Sequence, residues 1–414
     1  MFANQRLLIL GTVWPEPESS AAGTRMMQLI EFFQDNGCEI TFACSASNLE
    51  FSADIKTLGI ETENIKINDS DFDRLIQDLK PDIVLFDRFM TEEQFGWRVS
   101  EHCPEALKIL DTEDLHSLRY ARHKALKKGT EFKLEDLYSD EARREIAAIY
   151  RCDISLIISK FEYELLTDFF NIDAEILHYL PFMFEELDSD HLFDIPKFEE
   201  RQNFISIGNF LHEPNWDAVR FLKEDIWKLI RKELPEAELH IYGAYTSSKV
   251  EQLHNEQEGF LIKGRAKSAE EVLKQSRVLL APLRFGAGLK GKFVDAMKFG
   301  TPSVTTKIGA EGMKINQGWC GELAETPDDI APKAIQLYSD KSVWVEAQKT
   351  GVRIFNQLFK KAEHEESFGV KIESVTKSLQ DHRKRNFIGS MMLQNTLQSY
   401  KYMSKWIEEK NKNL

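Results

Sequence analysis

The chain has 414 residues and a formal net charge of -15. That length exceeds one ordinary hydrophobic core and predicts two domains, and the acidic balance argues against nucleic acid as the main partner. Five cysteines (Cys38, Cys44, Cys103, Cys152, Cys320) are scattered and never in C-x-x-C spacing, which predicts reduced thiols in a cytoplasm, with neither a disulfide frame nor a zinc site.

The opening MFANQRLLILGTVW carries an apolar run too short for a signal peptide or a membrane span, and RLLILGT reads as a first strand. Apolar residues at Met26, Leu29, Ile30 and Phe33 keep helical spacing, and Gly37 stops that helix. CEITFAC, PDIVLFD, ALKILDT and CDISLIIS follow as strands between helical stretches. Their runs are continuous rather than alternating, which suits strands buried on both faces of a parallel sheet. FMFEELDSDHLFDIPKFEERQ is acidic, lacks a clean period and contains Pro196, so it reads as an interdomain linker. The pattern restarts at NFISIGNF and continues through AELHIYGAY, GFLIKG, RVLLAPLRF and PSVTTK. Two sets of βα units predict an α/β chain with two doubly wound domains. The division is 1–185, a linker 186–202, 203–385, and a helical tail 386–414. In the tail, Leu393, Leu397, Tyr400, Met403 and Ile407 fall at three- and four-residue steps. That stripe suits packing on the protein, and it is narrow for a helix lying on a membrane.

Residues 284–306, RFGAGLKGKFVDAMKFGTPSVTT, carry two overlapping motifs. Gly286, Gly288 and Gly291 spell G-x-G-x-x-G, and Gly286, Gly291 and Lys292 spell most of a Walker A loop. The Walker reading fails at Phe293, which stands where Ser or Thr must hold a magnesium ion. The dinucleotide reading fails because at least three strands of its domain precede the loop, and because the next strand ends in Thr306 and Lys307 rather than an acid. A strand-to-helix loop with three glycines, Lys290 and Lys292 still fits an anion site better than a plain tight turn. The backbone can approach the anion, and the helix end supplies free N–H groups. Two other features read as structural. The D-x-D of Asp69 and Asp71 is explained by a capping box of Ser70 and Asp73, so no metal site is expected. The basic run RHKALKK, starting at Arg122, reads as a solvated helix face.

The segment APLRFGAGLKGKFVDAMKFGTPSVTTKIGAEGM resembles the donor-site segment of family-4-like glycosyltransferases, the retaining sugar-nucleotide enzymes of GT-B fold. FISIGNFLHEPNWDAVRFLKEDIWKLIRKELPEAELHIYG, LDTEDLHSLR and AAGTRMMQLIEFFQDNGCEITF are similar to other segments of that family. The resemblance runs from Arg6 to about Gly312. It implies two Rossmann-like domains facing a cleft, with the acceptor side first, the nucleotide-sugar side second, and a C-terminal helix crossing back to the N-terminal domain.

Site residues follow where positions match. Asp295 falls at the second acid of the family's E-x7-E motif, which the resemblance assigns to the ribose; the alternative is a carboxylate favoured by the helix dipole. The first acid falls at Ala287 and is absent. Lys290 and Lys292, with Gly286, Gly288 and Gly291, are the expected diphosphate cradle. Asn209 stands where the family has an Arg. Arg265 lies in the loop that holds the base, or is a solvated turn residue. In the N-terminal domain His116 resembles the family's cleft histidine, and Asp111 follows a strand end where α/β sheets place sites. Asp111 or Asp114 is alternatively a helix cap, and His116 a surface residue. Gly23 and Arg25 lie in a first loop that approaches donor phosphates or acceptor.

The expected activity is transfer of a hexosyl group from a nucleoside-diphosphate sugar to a hydroxyl acceptor (glycan, lipid-linked glycan or protein), retaining and without metal or cofactor. An epimerase or hydrolase of the same fold, and a non-enzymatic GT-B-like binding protein, are the alternatives. The expected location is cytoplasmic, compatible with a peripheral membrane position.

Overall fold

A computed structural model describes residues 2, 4–47, 50–188, 190–315, 318–394, 402, 406 and 410. Two all-parallel sheets dominate it. The first contains β1 (Arg6–Gly11), β2 (Glu39–Cys44), β3 (Glu61–Asn64), β4 (Ile83–Asp87), β5 (Leu107–Asp111), β6 (Ile154–Ile157) and β7 (Leu177–Tyr179), in the order β3-β2-β1-β4-β5-β6-β7. The second contains β8 (Gln202–Ile207), β9 (Leu239–Tyr242), β10 (Phe260–Gly264), β11 (Ser276–Ala281), β12 (Ser303–Thr305) and β13 (Gly321–Leu323), in the order β10-β9-β8-β11-β12-β13. The order reverses at β1 and at β8, and in doubly wound sheets ligands gather outside the carboxyl ends of the strands at such switch points. The central strands are buried on both faces, as their continuous apolar runs require. Helices such as Ala21–Asp35 cover the sheet with one apolar stripe, here Met26, Leu29, Ile30 and Phe33.

The chain passes between the domains twice, side by side. Phe184 N–H donates to the Phe359 carbonyl at 2.7 Å, and Lys361 N–H donates to the Phe184 carbonyl at 2.8 Å. The outgoing linker is stapled to the second domain. Asn356 brackets Leu187 with bonds of 2.8 Å to its N–H and its carbonyl, and Arg201 is fully buried on Thr301 Oγ1 and the Phe299 carbonyl.

The return to the first domain begins earlier than the expected 386. Helix Lys361–Lys377 already places Phe368, Ile372 and Val375 in the first-domain core with Leu7, Ile9 and Phe32. Helix Leu379–Arg385 continues on it, with Arg383 paired to Asp153 at 2.8 Å. Helix Phe387–Leu393 rests on helix Asp140–Arg151, where Asn386 Nδ2 donates to the Tyr150 carbonyl at 2.8 Å. Residues 361–385 therefore pack on the first domain, not the second. Leu393 is exposed, and Leu397, Tyr400, Met403 and Ile407 lie outside the described residues. No described helix is long and apolar enough to cross a membrane.

The expected capping box at Ser70 and Asp73 is not formed. Ser70 makes no side-chain cap bond, and Asp69 Oδ1 instead accepts from Asp71 N–H at 3.0 Å. Asp73 is used elsewhere, in an ion pair with Arg98.

Candidate active site

The glycine loop follows β11 and opens helix Gly291–Lys298. Gly286 has φ 151° and Gly288 has φ 62°, backbone angles that side chains disfavour. The loop is buried under the first domain rather than open to solvent. Arg122 Nη1 donates to the Gly286 carbonyl at 2.8 Å, and Gly288 N–H donates to Glu162 Oε1 at 2.8 Å. A Cβ on Gly288 would lie 2.8 Å from Asp114 Cβ, so only glycine admits this approach. Lys290 folds back, with Nζ donating to the Gly288 carbonyl at 2.8 Å, and burial lowers its pKa to about 8. Gly286, Gly288 and Lys290 were expected to cradle phosphate. Here Gly286 and Gly288 bond to the first domain, and Lys290 bonds within the loop.

The next residue pair leaves its backbone donors free. The backbone N–H groups of Gly291 and Lys292 donate to no described residue. A Cβ on Gly291 would lie 2.8 Å from the Cβ of Ala21, the first residue of helix Ala21–Asp35. Ala21 and Ala22 N–H also donate to no described residue, while Ser20 caps Gly23 N–H at 3.0 Å. Two helix N-termini, each with its partial positive charge, thus lie side by side. Lys292 adds a side-chain ammonium. Its Nζ donates to Asn215 Oδ1 at 2.7 Å and pairs with no described carboxylate, so burial alone lowers its pKa to about 7. Gly208 makes room for it, since a Cβ there would sit 2.9 Å from Nζ. Asn209 shapes this loop through its Oδ1, which accepts from Leu211 N–H at 2.8 Å. One turn along the helix, the Asp295 carboxyl group makes no hydrogen bond to a described residue, and burial raises its pKa to about 6 against the opposing pull of Lys298.

The first domain supplies the facing wall from the loops after β4 and β5. Arg88 (φ 69°) and Glu113 (φ 62°) both hold left-handed backbone angles, a cost of roughly 1–2 kcal/mol each of the kind that clusters at functional sites. Burial raises the pKa of Glu113 well above the carboxylate range, with Asp111 adding to it. Asp114 is also crowded by protein, which alone would raise its pKa. The charge of Arg119 leads the effects that outweigh that, and it stays low. Its Oδ2 accepts from Arg119 at 2.7 Å, and its Oδ1 lies 3.4 Å from His116 Nε2. His116 opens helix His116–Lys128, and burial lowers its pKa to about 4, so the ring is neutral at pH 7. Its Nε2 has no hydrogen-bond partner among the described residues. The start of that helix is capped by Glu145, which accepts from His116 N–H at 2.8 Å and Ser117 N–H at 3.1 Å. Neither Asp111 nor Asp114 is therefore the cap.

The first-sheet and second-sheet loops meet on both sides of this space. Residues 201–340 match the protein family described as "Glycosyl transferases group 1". Among solved structures, sucrose-phosphate synthase from Thermosynechococcus elongatus is similar at TM-score 0.68 and 13% identity, covering 91% of this chain and 100% of that one. HepE from Anabaena, in complex with UDP-glucose, is similar at TM-score 0.66 and 12% identity, covering 90% and 100%. A point mutant of TarM from S. aureus, solved with fondaparinux, alpha-GlcNAc-glycerol and UDP, is similar at TM-score 0.64 and 11% identity, covering 89% and 99%. No curated protein sequence matches. The chain has the GT-B fold, and within it residues 201–340 match a glycosyltransferase family.

The chain uses several expected residues differently. Asp111 is fully buried and grips Arg25, with Nε–Oδ1 2.9 Å and Nε–Oδ2 3.0 Å, while Arg25 Nη1 donates to the Leu180 carbonyl at 2.7 Å. This pair anchors helix Ala21–Asp35 to the sheet and touches no cleft space, so Asp111 has no catalytic position and Arg25 no phosphate. Gly23 is needed because a Cβ would strike the Glu16 backbone at 2.3 Å. Ala287 turns its methyl into the first-domain apolar cluster with Leu165 and Leu166, so its position could not carry a cleft carboxylate. Arg265 stacks over Phe51 at 4.2 Å and pairs with Glu18 at 2.9 Å, and beside it Tyr245 Oη donates to Glu16 at 2.8 Å. The basic run is not a plain solvated face. Arg122 pairs through two bonds with Glu311, at 2.7 and 2.8 Å, and His123 stacks on Phe285 with ring centres 4.2 Å apart.

Glu162, Arg88, Asn215 and His212 were not anticipated. Glu162 is fully buried and bridges Leu115 and Gly288 N–H; burial raises its pKa to about 8, and its Oε2 has no partner among the described residues. His212 is exposed, yet the surrounding protein, Arg119 and Lys292 lower its pKa. Each is a lone polar residue at a loop or helix end, with no local motif to mark it. A hollow of about 470 Å³ beside Leu187, Leu192 and Arg353 shares no residue with the cleft.

Proposed function

We propose that the enzyme transfers a hexosyl group from a nucleoside-diphosphate sugar to a hydroxyl acceptor, with retention at the anomeric carbon and without a metal ion. The observation that carries this reading is the convergence of two free helix N-termini, at Ala21 and Gly291, beside the unpaired ammonium of Lys292. Charge that develops on a departing diphosphate is stabilised there by dipoles and a cation already in place. Asp295, whose carboxyl group has no hydrogen-bond partner among the described residues, is assigned to the ribose hydroxyls. Arg265, stacked on Phe51, is assigned to the side of the base. His116, whose ring burial keeps neutral, is assigned to the side of the transferred sugar and the acceptor. In this scheme the acceptor hydroxyl attacks from the face of the leaving group, and the departing phosphate takes its proton. A sugar nucleotide as donor agrees with the UDP-glucose and UDP bound in the similar HepE and TarM structures. The acceptor is a glycan, a lipid-linked glycan or a protein. Reaction in the cytoplasm suits the five free cysteines.

Calorimetry against UDP-glucose, UDP-galactose, UDP-N-acetylglucosamine and GDP-mannose tests the donor reading, and binding of at least one is expected. Binding of none would favour a non-enzymatic protein of the same fold. Release of free sugar or an epimer from donor alone, at the full rate, would instead favour a hydrolase or epimerase.

A further inference from the structure

We infer that helix Phe387–Leu393, with Tyr402 and Trp406 further along the tail, forms a docking face for an anionic lipid surface. The helix sits on the first domain with its two faces reversed. Its polar and small residues are turned to the protein. Asn386 Nδ2 donates to the Tyr150 carbonyl at 2.8 Å, and Asn386 Oδ1 accepts from Gly389 N–H at 2.9 Å. Gly389 is buried, and a Cβ there would lie 2.1 Å from the Tyr150 carbonyl oxygen. Ser390 Oγ donates to the Arg383 carbonyl at 3.3 Å. The large apolar residues Phe387, Ile388, Met391 and Met392 are left in solvent, Phe387 at 67% exposure. Their spacing puts all four on one side of the helix. A surface helix ordinarily buries its apolar stripe against the core, as helix Ala21–Asp35 does here. Single exposed apolar residues need no explanation, but a contiguous group marks an interaction face. None of these four belongs to the stripe at Leu393, Leu397, Tyr400, Met403 and Ile407, so the tail carries more apolar surface than that stripe alone.

Charge selects the partner. Residues 384–414 hold six Lys or Arg and two Glu, a net of +4 in a chain of net -15, which leaves -19 on the rest. Lys384 and Arg385 stand at the start of the helix. Their acidic partners, Asp381 and Glu175, are as exposed as they are, and such surface pairs are weak and exchange readily for another anion. Tyr402 and Trp406 are exposed, and Lys410 Nζ lies 5.2 Å from the centre of the Trp406 ring. Aromatic rings and lysines together suit the boundary between headgroups and acyl chains, where each has an apolar body and a polar tip to place. An anionic lipid surface meets both features of the tail. Its acyl layer takes the apolar side chains, and its headgroups take the ammonium and guanidinium groups. The same surface repels the remaining -19, so the tail approaches first. A second copy is the poorer match, because a twofold contact through this helix would set two tails of +4 against each other.

Flotation of the full chain with lipid vesicles tests this. Vesicles of phosphatidylcholine with about one-third phosphatidylglycerol should bind it at least about tenfold more tightly than phosphatidylcholine alone. That binding should weaken at least about tenfold in about 1 M salt, where the Debye length falls to about 3 Å. Replacing the four exposed apolar residues together (Phe387→Gln, Ile388→Gln, Met391→Gln, Met392→Gln) should cost about tenfold or more in vesicle binding and leave the melting temperature unchanged. Trp97→Gln, which removes an exposed apolar residue from another helix, should bind like the wild type. If the fourfold variant does not fold, the combination Lys384→Gln, Arg385→Gln and Lys410→Gln decides, and it should lose most of the preference for phosphatidylglycerol. Absence of binding, equal binding to both vesicle types, or full binding by either variant would overturn the inference. A dimer in analytical ultracentrifugation that the fourfold variant abolishes, without vesicle binding by the wild type, would also overturn it and give the face to a second copy.

Discussion

Replacing Lys292 with Met removes a cleft ammonium that no described carboxylate neutralises, while keeping an unbranched stem and a good helix former in the first turn. A hydrogen bond to a charged group contributes about 1.5–3 kcal/mol, so nucleoside-diphosphate affinity should fall by about 10- to 150-fold at 1.4 kcal/mol per tenfold. The pH dependence has a definite sign. Burial lowers the free-state pKa of Lys292 to about 7, so at pH 8 most of the free enzyme carries a neutral amine there. A bound diphosphate favours the ammonium and raises that pKa. Binding at pH 8 must therefore take up a proton, and affinity must fall as pH rises above 7. Calorimetry in HEPES and in Tris, which differ in ionisation enthalpy, reads the uptake directly. The wild type should take up close to one proton at pH 8 and Lys292→Met none. Unchanged affinity, or the same uptake in both proteins, would refute the assignment of the diphosphate to this corner.

Asp295→Asn should weaken nucleoside-diphosphate binding about tenfold, as neutral hydrogen bonds are roughly half as strong, while inorganic pyrophosphate binds as before; equal losses for both ligands would make Asp295 a support of the loop. Arg122→Ala removes a two-bond pair to Glu311 and a bond to the Gly286 carbonyl, and should cost about 3 kcal/mol in urea unfolding, with a loss under 1 kcal/mol contradicting the seam. Gly288→Ala, at φ 62° and against Asp114, should reduce transfer far more than it lowers the melting temperature, and an active variant would count against close approach of the two loops. Transfer should continue in EDTA; loss that manganese or magnesium restores would reverse the metal-free reading.

The sheets were legible because their inner strands are unbroken apolar runs, as in RLLILG and IVLFD. Three edge or short strands were not. β3 is ETEN, with no apolar residue, and β7 and β13 have three residues each, too few for any period to register. The loop and the helix it opens were legible as glycines and lysines after a strand, but the packing within the loop was not. Lys290 and Lys292 are two residues apart, and only the packing of Arg122, Glu162 and Asp114 against the loop turns one inward and leaves the other on the cleft. Asp111 was mistaken for a cleft acid because it ends a strand. Its partner, Arg25, lies 86 positions away, and such a pairing leaves no local mark. The run at Arg122 was read as solvated because charge runs usually are, yet its first two residues face the second domain.

The most direct measurement of the central claim is a crystal structure of the enzyme with the nucleoside diphosphate it binds. The account predicts phosphate oxygens within hydrogen-bond distance of the Gly291 and Lys292 N–H groups and of Lys292 Nζ, near Ala21, with a ribose hydroxyl on Asp295. Phosphates seated on Lys290 inside an opened glycine loop, or outside the cleft altogether, would contradict it.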